Sequence, residues 1–272
     1  MCGAGGLPAR MAGEARRRGW RVVAFTFDEL SAPAIAADLV LPASFAELGA
    51  VLGSLHREGA RAVLFSGRFS MREVVRTDAA GVDTVARAIN ERAGSRIDAA
   101  LAGTVISTLA GLGIDVLDQR PFFGDALASA GAWSKRGPTE AERADIARGF
   151  AVARMMAEAH VGQTVVVRHG AVTAVEAVEG TTEAVRRGAA NAGPGAVVVK
   201  AVARDHDYRF DVPAIGLETV QAAIAGGVAV VAVEAARVVV LDREAITRAA
   251  DDAGLALVGV DGSDLPGASG TE

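Results

Sequence analysis

Short apolar runs alternate with longer stretches of helical spacing through the first half of the chain. "RVVAFTF" (21–27), "RAVLFSG" (61–67) and "GIDVLD" (113–118) predict short buried strands. Around them, "LPARMAGEARRRG" (7–19), "FAELGAVLGSLHREG" (45–59) and "RIDAALAGTVISTLAGLG" (96–113) space their apolar residues three and four apart. Each of the three ends on Gly, as helices do. Strands and helices in alternation predict an α/β domain with a Rossmann-like parallel sheet covered on both faces. Residues 68–96 fit one broken helix or two.

The pattern changes after "ASAGAWSKRGP" (128–138). Pro138 and Thr139 open a strongly acidic turn, which predicts a long helix running to His160. Beyond it, "QTVVVRHGAVTAVEAV" (163–178) is two apolar strands about a tight "RHG" turn, a hairpin signal. A helix over 182–191 and the strand "GAVVVKAV" (195–202) follow. "VAVVAVEAARVVVLD" (228–242) repeats the hairpin pattern and leads to a helix and the strand "LALVGV" (255–260). Two α/β domains result: 1–132, with the parallel sheet, and 138–262, with a mixed sheet. Residues 263–272 read as a solvated tail.

Composition narrows the partners. A net charge of −5 supplies no basic footprint, so nucleic acid is not an expected partner. No apolar run reaches the roughly 18 to 20 residues that span a membrane, and no signal-peptide pattern opens the sequence. The single cysteine, Cys2, fits a reducing cytoplasm. Lysine occurs only at 135 and 200 in a chain rich in Arg. Where Lys persists, a compact point charge has a specific use, and Lys200 stands at the end of an apolar strand, where a charge needs a partner.

Three stretches carry candidate chemistry. "GAGGLP" (3–8) is a Gly-rich turn into a helix, able to bring backbone N–H groups to a phosphate. Only Met1 and Cys2 precede it, so the strand that a dinucleotide fingerprint requires is missing; a flexible end fits the same residues. "VEAVEGTT" (175–182) sets Glu176 and Glu179 after a strand, where open α/β sheets bind ligands; Thr181 or Thr182 also suits a plain helix N-cap. "RDHDYRFDVPAIG" (204–216) packs Asp205, Asp207, Arg209 and Asp211 together. Arg209 and Asp211 flank Phe210 and face the same way in extended chain, and Pro213 keeps the segment out of a central strand. Such a loop can hold an anion on Arg209 and Lys200 while Asp211 binds a cation or water; a solvated Arg–Asp pair is the plain alternative. Asp118 reads as a strand-end turn residue. The four histidines show no metal spacing.

"GGLP", "RGPTEAERADIARGF", "GQTVVVRHGAVTAVEAVEGT", "VVVK" and "DYRFDVPAIG", in that order, closely resemble the LpxI family of UDP-2,3-diacylglucosamine pyrophosphatases. The resemblance implies a cytoplasmic two-domain α/β enzyme of lipid A biosynthesis. It would cleave UDP-2,3-diacylglucosamine to UMP and 2,3-diacylglucosamine 1-phosphate (lipid X) with Mg²⁺ and water. The resemblance implies that Asp211 is essential; the chemistry then assigns Asp211 to catalysis and the metal, with Glu176 or Glu179 as second metal carboxylate and Lys200 and Arg209 against the charge on the phosphates. Gly5, Gly6, Leu7, Pro8, Thr181 and Asp207 would bind substrate, with the acyl chains in a groove between the domains. Peripheral contact with the inner membrane and a homo-oligomer are compatible with that setting. Here Thr182 replaces the acid of the family's "EGTD", and Ala203, Arg204 and His206 replace its usual residues. A scaffold that binds nucleotide or lipid without turnover, or a hydrolase of another nucleotide-sugar, are the competing readings.

Overall fold

The computed structural model describes residues 1–27, 35–69, 81–94 and 98–261. The tail expected at 263–272 lies outside the described residues, as do 70–80 and 95–96 of the ambiguous 68–96 stretch. The chain divides into two compact units, Met1–Gly124 with Asp207–Val212, and Asp125–His206 with the chain from Pro213. Relative to the expected halves, residues 125–132 stand with the second unit and residues 207–212 with the first.

In the first unit the elements are α1 (Leu7–Arg17), β1 (Val23–Thr26), β2 (Leu39–Pro42), α2 (Leu48–Arg57), β3 (Ala62–Val63), α3 (Thr84–Ala93), α4 (Asp98–Gly111) and β4 (Asp115–Val116). Asp83 caps α3 by accepting the Ala86 N–H at 2.7 Å, and Gly94 closes that helix at φ 62°. Strand β1 pairs with β2 and β3 with β4, both in parallel. Cys2 forms single parallel bridges to Thr26 on one side and Ser66 on the other. The pairs are parallel, as expected, but these short ladders alone do not show the Rossmann-like sheet expected from the sequence. The Cys2 N–H donates to the Phe25 carbonyl and the Gly3 N–H to the Ser66 carbonyl, and Ala4 then pairs antiparallel with Arg68. The crossing is tight: a Cβ on Gly3 would stand 2.5 Å from the Arg68 carbonyl oxygen. Phe25, Val51, Leu55, Val63, Phe65 and Leu109 form the core of this unit.

The second unit holds β5 (Gly131–Ala132), α5 (Glu140–Glu158), β6 (Thr164–Arg168), β7 (Ala171–Val175), α6 (Thr181–Ala192), β8 (Val197–Lys200), β9 (Ala214–Ile215), α7 (Leu217–Ala225), β10 (Val230–Glu234), β11 (Val239–Val240), α8 (Arg243–Ala253) and β12 (Ala256–Val260). Six strands make one mixed sheet in the order β5-β12-β10-β8-β6-β7. Its strands are continuous apolar runs because both faces are covered. Val165, Val167, Val197, Val199 and Val230 turn to Ile146, Phe150 and Ala153 of α5. Val166, Val198, Val231 and Val233 turn the other way, to Val185, Val220 and Ile246 of the remaining helices.

Local signals account for several of these elements. Thr139 and Glu142 form a full capping box at the start of α5. His169 and Gly170 take φ of 50° and 78° between β6 and β7, the two positive values of a tight hairpin turn. The Asp145 carboxylate accepts both their N–H groups, at 2.9 and 2.6 Å. The second expected hairpin, over 228–242, does not form. Chain turns after β10, and β11 pairs in parallel with β9 instead of folding back on β10.

Glycine sets how closely the helices approach the sheet. A Cβ on Gly149 of α5 would stand 2.5 Å from a Val199 methyl, and one on Gly188 of α6 would stand 2.4 Å from a Val166 methyl. Gly149→Ala should therefore destabilise the protein by about 1–3 kcal/mol through overpacking, read as a lower urea midpoint. An unchanged midpoint would mean that α5 can lift from the sheet at no cost. No helix among the described residues is long and apolar enough to cross a membrane.

Candidate active site

The carboxyl edge of the second unit's sheet gathers buried charge. Lys200 ends β8 and is 4% exposed. Its register partner on β6 is Thr164, and Glu176 follows β7 directly. Lys200 Nζ donates to Thr181 Oγ1 at 2.9 Å and Thr164 Oγ1 at 3.3 Å, and lies 3.6 Å from Glu176 Oε2. The Thr181 hydroxyl donates a hydrogen bond to Glu176 Oε1 at 2.8 Å, while the Gln163 N–H donates to Oε2 at 3.2 Å. A strand-end lysine, two threonines and a carboxylate thus make one closed relay. The plain N-cap reading of Thr181 and Thr182 does not hold, since Gly180 is the N-cap of α6 at φ 83° with no side-chain cap bond.

Burial alone would raise the Glu176 carboxyl; Lys200, Thr164, Thr181 and the Gln163 N–H outweigh it and hold the group below its ordinary value. A depressed carboxyl stabilises the fold at pH above its unfolded value, about 4.3. That contribution fades as pH falls through the lower folded value. Glu176→Gln should therefore flatten the acid limb of a stability–pH curve below about pH 4.3. A limb as steep as the wild type's would assign acid unfolding to other carboxylates. Gly162 helps to seat the group, because a Cβ there would stand 2.2 Å from the Glu176 carbonyl oxygen.

Glu179 does not join this relay. It pairs with Arg187 of α6, whose guanidinium also donates to the Val175 carbonyl at 2.8 Å. Thr182, in the place of the family's acid, faces Thr219 Oγ1 at 3.5 Å. The altered segment after Lys200 is pinned from behind. Arg154 donates to the Val202 carbonyl at 2.7 Å and to Glu234 at 2.9 Å, and Glu234 accepts the Val202 N–H at 2.8 Å. Ala203 is buried, and Arg204 reaches outward to Glu158.

Residues 207–212 belong to the first unit, and their side chains alternate. Tyr208 is buried and Phe210 packs on Phe65 at 5.0 Å, while Arg209 and Asp211 are exposed. The expectation that Arg209 and Asp211 share a side rests on an extended chain, but residues 208–210 form a turn. Arg209 is held in a two-pronged pair with Asp207, Nε to Oδ1 at 3.0 Å and Nη2 to Oδ2 at 2.7 Å, and its N–H caps the same carboxylate at 2.9 Å.

Sequence reasoning missed a second copy of that turn. Arg120 grips Asp118 with the same atoms, and its N–H donates to Asp118 Oδ1 at 2.8 Å. The two turns meet: the Gln119 N–H donates to the Tyr208 carbonyl at 3.2 Å, and the Arg120 guanidinium lies 4.9 Å from the Tyr208 ring centre. Asp118, read as a strand-end residue, is therefore part of the seat of the 207–212 loop. The repeated Asp-x-Arg spacing of "DQR" and "DYR" was the available signal. Gly5 and Gly6 are exposed at the start of α1, whereas Leu7 and Pro8 are buried.

Residues 1–126 match the model of the LpxI N-terminal domain, and residues 129–258 match that of the LpxI C-terminal domain. The chain belongs to the LpxI family. A curated relative, the UDP-2,3-diacylglucosamine pyrophosphatase LpxI of Caulobacter vibrioides, is 30% identical over 277 residues, covering 98% of each chain. The family's two domain models meet close to the point, after Gly124, where the chain passes from the first compact unit to the second. The later excursion, Asp207–Val212, carries the LpxI-type "DYRFDV" motif back into the unit of the N-terminal domain.

The LpxI resemblance implies Mg²⁺, and the donors can be weighed for it. Among the described residues no group of three or more His, Cys, Asp or Glu could hold a metal by itself. An exposed carboxylate such as Asp211 suits a hard cation that draws its other ligands from phosphate and water. Both oxygens of Glu176 are engaged by the Lys200 relay, and Glu179 is engaged by Arg187.

Proposed function

We propose that this LpxI family member hydrolyses the pyrophosphate of UDP-2,3-diacylglucosamine, releasing UMP and lipid X in lipid A biosynthesis. The observation that carries the reading is the match to the Caulobacter vibrioides pyrophosphatase over 98% of both chains. The "DYRFDV" turn and the Lys200 relay supply groups of the right kind. We place the protein in the cytoplasm, where the substrate's acyl chains bring it against the inner membrane, with homo-oligomers compatible with the same reading.

In this reaction a water oxygen forms a new bond to one phosphorus as the bridging P–O bond breaks. The bridging oxygen leaves on the other phosphate, and the water gives up a proton. Asp211 orients that water or accepts its proton, and it would hold Mg²⁺ together with substrate phosphate oxygens. When bound, the ion supplies charge neutralisation on the phosphates. Lys200 and Arg209 add positive charge against the charge that develops during cleavage. Glu176 enters as the counter-charge that aims Lys200, with Glu179 as an outer carboxylate. Asp207 fixes the Arg209 guanidinium, and Thr181 orients Lys200. Gly5 and Gly6, with Leu7 and Pro8 behind them, offer a helix start to a phosphate.

The test is a substrate panel with and without metal. UDP-2,3-diacylglucosamine should yield UMP with Mg²⁺ and none with EDTA, and UDP-N-acetylglucosamine should be cleaved far more slowly. Undiminished release in EDTA would remove the metal from the mechanism. Equal rates on both nucleotides would move the substrate class to nucleotide-sugars at large.

A further inference from the structure

Five of the nine phenylalanines, Phe27, Phe45, Phe65, Phe69 and Phe210, line one apolar cavity of about 110 Å³ inside the first unit. They come from four separate stretches of the chain yet form a continuous wall. Phe27 meets Phe45 at 4.7 Å and Phe69 at 5.8 Å; Phe65 meets Phe69 at 6.3 Å and Phe210 at 5.0 Å. Aliphatic side chains of α2, α3 and α4 add to the lining, and among the described residues only Asn90 and Thr108 contribute polar side chains to it. The Thr108 hydroxyl is already spent on its own helix, donating to the Thr104 carbonyl at 2.7 Å.

A void of this size is unusual in a close-packed interior. A dry apolar cavity of about 150 Å³ takes up benzene, so this one suits an apolar group of similar or slightly smaller bulk. Among the described residues its wall offers few donors or acceptors for a sugar, a base or a phosphate. Its wall ends on Phe210, whose neighbours in the chain are the exposed Arg209 and Asp211. One aromatic residue thus links the apolar chamber to the loop assigned to the pyrophosphate. The concentration matters because aromatic residues make up only 4% of the chain.

We propose that this cavity receives the end of one acyl chain of the lipid substrate and sets the enzyme's chain-length preference. The inference rests on the pyrophosphatase reading and adds a specificity-determining site to it. Its volume admits the last few methylenes of a single chain, so the second chain must lie elsewhere. Val105 of α4 lines the cavity, lies far in sequence from the Asp207–Asp211 loop, and a larger side chain there takes up part of the space.

The experiment compares kcat/KM for UDP-2,3-diacylglucosamines with acyl chains of twelve to fourteen carbons and of four to six carbons. Val105→Phe, which fills the cavity, should lower the long-over-short ratio at least tenfold, chiefly through KM for the long chains. Phe69→Leu, which widens the cavity, should move the optimum to longer chains. Identical length profiles in both folded variants and the wild type would overturn the proposal. A thermal-shift titration with dodecanoate separates this failure from failure of the activity. Wild-type stabilisation that Val105→Phe abolishes supports the acyl cavity even if no substrate is cleaved. Cleavage of long-chain substrate with no dodecanoate effect and no change in length profile supports the activity and sinks the cavity.

Discussion

Asp211→Asn is expected to lower kcat on UDP-2,3-diacylglucosamine by about a thousandfold or more while leaving the fold intact. Asparagine keeps the shape of the side chain and removes its charge and its capacity to accept a proton. Loss of about 4 kcal/mol of transition-state stabilisation corresponds to that factor, and it is of the size seen when one preorganised electrostatic group is removed. Stability should barely change, because Asp211 is exposed and exposed substitutions cost about 0.5 kcal/mol or less. Binding of the intact substrate should survive within a few-fold, since phosphate and acyl contacts remain. Turnover near the wild-type rate would refute the assignment of Asp211.

Lys200→Met has the largest expected effect on stability. Removing the lysine leaves the Glu176 carboxylate buried with its main counter-charge gone. Breaking one side of such a pair costs about 3–5 kcal/mol, which is on the order of 10 °C in melting temperature for a unit of this size. The double variant Lys200→Met with Glu176→Leu should regain most of that loss, because two apolar side chains can replace a buried pair at little cost. The same pair separates structure from chemistry. Stability restored without activity supports a role for Lys200 on the phosphates, whereas activity restored with stability would make the relay structural only.

Elements with a strong local signature were legible in the sequence. The capping pair Thr139 and Glu142 fixes the start of α5, and His169–Gly170 fixes a hairpin. The observation that Lys200 closes an apolar run implied a buried partner, and Glu176 with Thr181 supplies it. What failed depended on pairing between distant residues. Val239–Val240 looks like the return strand of a hairpin, but its partner is Ala214–Ile215, and a run of valines carries no mark of which neighbour it will choose. The short strand Leu39–Pro42 is too brief to stand out from its flanks. The parallel sheet expected in the first unit rested on alternation of element types, which says nothing of how long each ladder lasts.

The candidate site shows the same division. The clustering of Asp207, Arg209 and Asp211 followed from the sequence alone. That Arg209 would be clasped by Asp207, and that Asp118–Arg120 would repeat the clasp and seat Tyr208, required the fold. The phenylalanine chamber was invisible for a related reason. Its residues have no shared period, and they converge only where strand ends, helices and the 207–212 excursion meet in one unit.

The most direct measurement is product analysis of the purified chain with UDP-2,3-diacylglucosamine and Mg²⁺. UMP and 2,3-diacylglucosamine 1-phosphate appearing in equal amounts, and neither appearing with Asp211→Asn, is the predicted result. UDP with free diacylglucosamine, or no product from a protein shown to be folded, would contradict it.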